Sequence, residues 1–337
     1  MQGGWQNLHD YVAPMPTRFE RRHLIVRLRN WVGDVVLGVP TLQRLANEGW
    51  ALDIVGKGWS RALLDGQGWP VHALPRTLRE RVGLLRRLRT DALARGLLRG
   101  DPIDALCLPD SMSSALEFRL AGLRALGHAN EGRSLLLGQA LRREPGVHEL
   151  QAYWRLGDAL LGSQAPLPAE IRLQVSARHL AQADEVRRRH GIEPACILIC
   201  PFAGGTWAKQ DKTWPGFAEF AARVLPRLGR DIAVCPGPGE EEQARRDYPG
   251  AVVLPDVDLG TYAGLLQGAA LMVANDTGPG HIAAAVGTPL VSVLGPSDPV
   301  RWRPWGPGAV VVQGIGGTWP TSQAVGEAVD TAFLSGR

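Results

Sequence analysis

Short apolar runs alternate with longer amphipathic stretches from Arg22 to the C-terminus, the pattern of buried parallel strands covered by helices. In the first half, His23-Leu24-Ile25-Val26-Arg27-Leu28 reads as a buried strand. The polar turn Arg29-Asn30-Trp31-Val32-Gly33-Asp34 follows, then an apolar helix through Asn47 in which Pro40 predicts a kink. Further strands are expected at Leu52–Val55, Val71–Leu74 and Ala105–Leu108, with helices at Trp59–Leu64, Leu78–Leu98 and Ser113–Leu126. The stretch Gly162-Ser163-Gln164-Ala165-Pro166-Leu167-Pro168, with its two prolines, reads as a linker. A second series begins at Ala195, with strands expected at Ile197–Cys200, Ile232–Cys235, Ala251–Leu254, Leu271–Ala274 and Leu290–Leu294. Its helices are expected at Pro215–Val224, Glu240–Asp247, Leu259–Gly268 and Pro279–Val286. Two α/β halves of similar size leave a cleft between them, and such sheets bind ligands at the carboxyl ends of their strands.

Composition narrows this picture without changing it. The 337 residues suit two domains, and 45% apolar with 21% charged residues describes an ordinary globular chain. Residues 1–20 read as a disordered lead-in, 21–170 as the first domain and 171–337 as the second. No apolar run approaches the roughly 18 residues of a membrane span, and the start carries no apolar signal core, so a cytoplasmic chain is expected. Cys107, Cys196, Cys200 and Cys235 lie dispersed in apolar runs and read as buried small hydrophobes; no metal site is expected from them.

The net charge of +4 is unevenly spread: eight arginines fall between Arg76 and Arg99. Helical periodicity there gives a basic face that includes Arg86 and Arg87. A solvated helix face and a contact with anionic headgroups or a phosphorylated acceptor both fit it. No aromatic-interleaved basic motif accompanies it, so nucleic acid is not an expected partner.

Three passages carry candidate chemistry. The buried strand at Leu271 runs into Asn275-Asp276-Thr277-Gly278-Pro279-Gly280-His281 and then into an Ala-rich helix. Asp276 or Thr277 can cap that helix, and the glycines allow close approach to free N–H groups, so a capped turn and a phosphate seat both fit. His281 adds a polar group in the first helical turn. The second passage is the loop Pro201–Pro215. Of 37 lysines and arginines only Lys57, Lys209 and Lys212 are lysines, and two of the three fall in this loop, where a lysine can act as a point charge on phosphate. The third is Trp31-Val32-Gly33-Asp34-Val35-Val36. Gly33 permits a tight turn there, and Asp34 is either a helix N-cap or a carboxylate placed to accept a proton.

Taken together, in order and spacing, these passages resemble the ADP-heptose:lipopolysaccharide heptosyltransferases, glycosyltransferase family 9, collinearly from about Leu24 to Val312. Trp31-Val32-Gly33-Asp34 and Leu108-Pro109-Asp110-Ser111-Met112-Ser113-Ser114-Ala115-Leu116 are most similar to the heptosyltransferase II branch. Lys212-Thr213-Trp214-Pro215, Asp276-Thr277-Gly278 and Gly295-Pro296-Ser297-Asp298-Pro299 are general to the family.

The resemblance implies an α/β GT-B fold: two Rossmann-like parallel-sheet domains facing a cleft, acceptor on the first and nucleotide sugar on the second. It implies an inverting, metal-independent transfer without a cofactor, from an ADP-heptose donor to the lipopolysaccharide core beside the inner membrane. Under it Asp34 is the general base and Lys212 neutralises the donor phosphates. Thr277 and Gly278 bind phosphate, Asp276 lies near the sugar hydroxyls, and His281 supports the same site. Glu240 matches a residue contacting the ribose and Val257 one facing the nucleobase. Thr206 takes a phosphate-binding role, with Lys209 sharing that of Lys212. Arg86, Arg87 and Ser111 fall to the acceptor. The loop from Gly204 to Lys212 is longer than in many members, and Gly280 stands where many carry a larger side chain. A transferase with another nucleotide sugar or a protein acceptor, a nucleotide-sugar epimerase of the same shape, and a silent sugar-nucleotide-binding module are the competing readings.

Overall fold

The computed structural model describes residues 22–335, apart from 98–101, 131, 205 and 208–209; for 206–207, 210–211 and 335 it describes the backbone alone. The expected lead-in and Lys209 lie outside the described residues.

The first half contains β1 (Arg22–Arg27), α1 (Val32–Asn47), β2 (Trp50–Gly56), α2 (Ser60–Leu63), β3 (Val71–Ala73) and α3 (Leu78–Ala94). It continues through β4 (Ala105–Cys107), α4 (Met112–Ala121), β5 (Ala125–Ala129), β6 (Gln139–Arg142) and α5 (Glu149–Leu161). The second half runs through α6 (Ala177–His190), β7 (Ile197–Cys200), the hairpin β8 (Thr206–Trp207) and β9 (Gln210–Asp211), α7 (Phe217–Arg223), β10 (Ile232–Val234) and α8 (Glu241–Asp247). Then follow β11 (Val252–Val253), α9 (Leu259–Gln267), β12 (Leu271–Asn275), α10 (Gly278–Ala285), β13 (Leu290–Leu294), α11 (Pro299–Trp302), β14 (Ala309–Gln313) and α12 (Ser322–Ser335).

Each half is built on a six-stranded parallel sheet, ordered β3-β2-β1-β4-β5-β6 in the first and β11-β10-β7-β12-β13-β14 in the second. Both orders reverse direction beside the first strand of the half, which opens a crevice at the strand ends. In the first sheet this switch lies between β1 and β4, and in the second between β7 and β12. The central strands are apolar on both faces because helices cover both: all residues of β12 and β13 are buried, as are Leu24, Ile25 and Val26 of β1.

One apolar cluster continues from the first half into the second. It joins Val35, Val39 and Leu42 of α1 and Tyr153 of α5 to Leu265 of α9 and Ile282 of α10. The halves are therefore packed together along α1 and α10, not merely tethered by the linker that follows α5.

Two expected helices are shorter than their sequence suggested. The helix placed at Ser113–Leu126 ends at Ala121, because Gly122 turns left-handed (φ 76°) and lets Leu123 N–H bond back to the Phe118 carbonyl. Ala125 and Leu126 instead begin β5, which pairs with β4. The helix placed at Leu78–Leu98 ends at Ala94, closed by Gly96 (φ 67°). Helix α1 continues through Pro40 to Asn47.

Candidate active site

The first half-site forms where β1 hands over to α1. Trp31 takes the N-cap position with extended backbone and makes no side-chain cap bond, so Asp34 is not the cap; it lies in the first turn and is buried. A carboxylate is favoured there by the positive helix end. Its Oδ1 accepts a hydrogen bond from the Tyr153 hydroxyl at 3.0 Å and stands 3.0 Å from Nε of Arg29. Burial pushes the Asp34 carboxyl above its usual range, while Arg29 and Tyr153 pull the other way.

The neighbouring strand supplies the next layer. Asp110, just past β4, receives Arg29 Nη1 at 2.7 Å and Arg143 Nη1 at 2.8 Å. Burial alone would raise the Asp110 carboxyl, but these two guanidiniums outweigh it and lower it. Arg133, fully buried, donates to the backbone carbonyls on either side, those of Pro109 and Ser111, and so fixes the loop that carries Asp110. Gly127 makes room for that guanidinium: a Cβ there would stand 2.9 Å from Arg133 Nη2. Ser111 caps α4 by accepting from Ser114 N–H, beside this network.

The second half-site forms where β12 hands over to α10. Asn275, fully buried, accepts from Trp214 N–H at 3.1 Å and donates to the Pro201 carbonyl at 2.5 Å. These bonds staple both ends of the 201–214 loop to the strand end and carry Lys212 to Asp276, Nζ to Oδ2, at 2.7 Å. Thr277 occupies the N-cap of α10 and Pro279 its first turn, but neither Asp276 nor Thr277 makes a side-chain cap bond to the helix. The expected capping side chain is thus missing, and the first N–H groups of α10 are left without a side-chain acceptor, the arrangement that receives an anion. The Thr277 hydroxyl instead meets the Cys200 thiol at 3.6 Å.

His281 is buried one turn into α10; burial, with His148 and Lys212 nearby, pushes its imidazole down to about 4 against the pull of Asp276. It is neutral at physiological pH. Glu240 lies at the start of α8, after β10, and its carboxylate accepts from Gly237 N–H at 2.7 Å. Val257 is half-buried against the core just before α9. Thr206 lies in the β8–β9 hairpin, midway along the 201–214 loop.

The two half-sites meet directly, with the first turn of α1 against the first turn of α10. A Cβ at Gly278 would stand 2.6 Å from Cβ of Val32. The structure thus gathers Asp34, Ser111, Lys212, Asp276, Thr277, Gly278 and His281 around the two switch points. Arg86 and Arg87 are not among them: they are exposed midway along α3, and Arg86 donates to the Leu120 carbonyl at the end of α4 opposite Ser111, roughly 13 to 14 Å away at a helical rise of about 1.5 Å per residue. Arg29, Asp110, Arg143, Glu149 and Tyr153 were not anticipated. Only Asp110, in the Leu108–Leu116 motif, and Arg29, which opens the polar turn ending at Asp34, lay within stretches singled out in the sequence.

Residues 91–325 match the model of glycosyltransferase family 9 (heptosyltransferase). This chain belongs to that family. It is 40% identical to "Lipopolysaccharide heptosyltransferase 1" of Pseudomonas aeruginosa over 40% of this chain and 36% of that one. The curated relatives it matches first are spanned over about a third of their length or less. Among solved structures, E. coli ADP-heptose lps heptosyltransferase II superposes with a TM-score of 0.75 at 24% identity, covering 93% of this chain and 99% of that one. E. coli heptosyltransferase WaaC with ADP-2-deoxy-2-fluoro heptose superposes with a TM-score of 0.67 at 23% identity, over 92% and 99%. These likenesses give the family 9 chain its GT-B fold, as the sequence implied. Among the described residues no helix is long and apolar enough to cross a membrane.

Proposed function

We propose that this family 9 chain transfers a heptose from ADP-heptose to the inner core of lipopolysaccharide, with inversion and without a metal ion. The observation that carries the reading is the apposition of a buried carboxylate, Asp34, with an open helix start beside Lys212 across the meeting point of the halves. In this reading the acceptor hydroxyl gives its proton to Asp34 as its oxygen attacks the anomeric carbon. The bond from that carbon to the diphosphate oxygen breaks on the opposite face, and ADP leaves with the bonding pair. The amides of α10 and Lys212 receive the charge that builds on the leaving phosphate, support typically worth about 3 kcal/mol per key contact. The choice of donor is supported by family membership and by the ADP-sugar held in the WaaC structure. Asp276 then lies at the sugar, Glu240 and Val257 toward the nucleoside, with Thr206 and Lys209 on the phosphate side. The exposed basic face of α3, with Arg86 and Arg87, suits a peripheral contact with an anionic membrane surface of the cytoplasmic side.

The test is product analysis with ADP-heptose and a panel of truncated core acceptors, using wild type and Asp34→Asn. Transfer by wild type, lost in the variant while ADP still binds, is the expected result. Donor epimerisation or hydrolysis without acceptor, or full transfer by Asp34→Asn, overturns the reading.

A further inference from the structure

The Asp34 network does not end within the first half. Beyond Asp110, Arg143 pairs through its other nitrogen with Glu149, a carboxylate with no solvent exposure at the start of α5. The second oxygen of Glu149 receives Nε of Arg301 at 2.8 Å, and Arg301 lies on α11 of the second half. Asp34, Arg29, Asp110, Arg143, Glu149 and Arg301 thus form a row of alternating charge that starts at the candidate base and finishes across the domain boundary. A fully buried carboxylate needs compensation on both oxygens, and one of its two guanidiniums comes from the partner half.

The same boundary is fastened beside Glu149. His148 Nδ1 accepts from Leu150 N–H, so its Nε2 is the donor, and it reaches the Arg303 carbonyl at 2.9 Å. Helix α5 also carries Tyr153 one turn beyond Glu149, on the same face, where it bonds Asp34. What holds the start of α5 therefore acts on Asp34 by two routes, through the charge row and through the helix itself.

We propose that Arg301 is a positioning residue: by holding Glu149 it keeps Arg29 and Tyr153 on Asp34, so that the base is set when the second half stands against the first. The inference rests on reading Asp34 as the base. Without Arg301, Glu149 has Arg143 alone and draws it from Asp110; Asp110 then claims more of Arg29, and Asp34 loses the cation that favours its ionised form. The groups facing Asp34 are Arg29 from the preceding turn, Asp110 from the loop after β4, and Glu149 and Tyr153 from α5, while neutral His281 of α10 lies against the adjoining Gly33. Of these only Arg29 and Tyr153 favour the carboxylate. Loss of Arg29 therefore moves proton release by Asp34 to higher pH.

The experiment compares wild type, Arg301→Ala and Arg301→Lys in heptose transfer across pH, with ADP affinity measured by calorimetry. Arg301 is 39% exposed, and because its loss leaves Glu149 with one cation fewer, a thermal melt of each variant checks that the fold is kept. Arg301→Ala is expected to lower kcat about fivefold at neutral pH and to move the acid limb of the rate profile upward by about half a unit. ADP affinity stays as in wild type, and Arg301→Lys recovers most of the loss. Adding Glu149→Gln to Arg301→Ala costs little more, since the two act in one row. An unmoved acid limb, or a loss confined to ADP affinity, overturns the inference. If Asp34→Asn itself retains transfer, the base reading has failed; if Asp34→Asn is inactive and the Arg301→Ala profile is unmoved, this inference alone has failed.

Discussion

The imidazole of His281 fills the space beside Gly33: a Cβ built on Gly33 would stand 2.7 Å from its Cδ2. The glycine had suggested a tight turn, yet it lies within α1, and what it provides is close approach across the domain boundary. Gly33→Ala must part the two helix starts or tilt the ring. A misplacement of this size between reacting groups costs about 10²-fold in turnover. We expect kcat to fall by that order in Gly33→Ala, with partial recovery when His281→Ala is added, measured by steady-state transfer. Wild-type turnover in Gly33→Ala would show that the halves separate without penalty.

Tyr153 separates proton affinity from architecture at Asp34. Its hydroxyl stabilises the carboxylate, so Tyr153→Phe raises the Asp34 carboxyl further above its ordinary range. Activity that needs the ionised form is lost as pH falls through that value, so the acid limb moves to higher pH. The expected displacement is up to about one unit. Rates at pH 6 should suffer more than rates at pH 8, and equal losses at both would assign the hydroxyl a different role.

Lys212 is held on Asp276 at 2.7 Å with little exposure, and under the proposed function it trades that carboxylate for a donor phosphate. Lys212→Ala is expected to lower kcat by about 10²- to 10³-fold, the usual cost of removing one group that meets developing charge. Lys212→Arg should retain more activity than alanine. A change in donor KM with kcat untouched would place the lysine in ground-state binding only.

His281 also leaves a mark on stability. Its folded value of about 4 lies below that of an unfolded histidine, about 6.5, so between those values the unfolded chain holds more protons. Stability from this group is therefore full above about pH 6.5 and declines as pH falls toward 4, by on the order of 3 kcal/mol at most. Urea titrations at pH 7 and pH 5 should show a smaller difference in His281→Asn than in wild type. An unchanged slope would mean that the ring is not neutral when folded.

Much of this molecule was legible because strand and helix periods differ so plainly in it. The runs at Ile197 and Leu290 became β7 and β13 with the expected ends, since each is a short apolar block bounded by turn residues. Strand β5 was missed because Ala125-Leu126-Gly127-His128-Ala129 has weak strand character and follows a good helix. Yet Gly122 followed by Leu123 already carried the stop signal of a left-handed helix end. Asp34 and the Asp276 turn stood out as candidates because each lies in a contiguous motif. Their partners did not, because Arg143, Glu149 and Tyr153 lie far along the chain from Asp34, and Asp110 comes beside Arg29 only once the sheet is ordered with β1 next to β4. Periodicity says that a strand exists, not which strand lies beside it.

In the contact of Val32 and Gly33 with Gly278 and His281, each helix start sets a glycine against a side chain of the other, Gly278 against Val32 and Gly33 against His281. With no side chain at either glycine to push the helices apart, the span from Asp34 to the start of α10 works, under the proposed function, as a fixed gauge. Under that reading, variation among the surrounding side chains alters which sugar is gripped and how tightly, while the reach of the transfer stays the same.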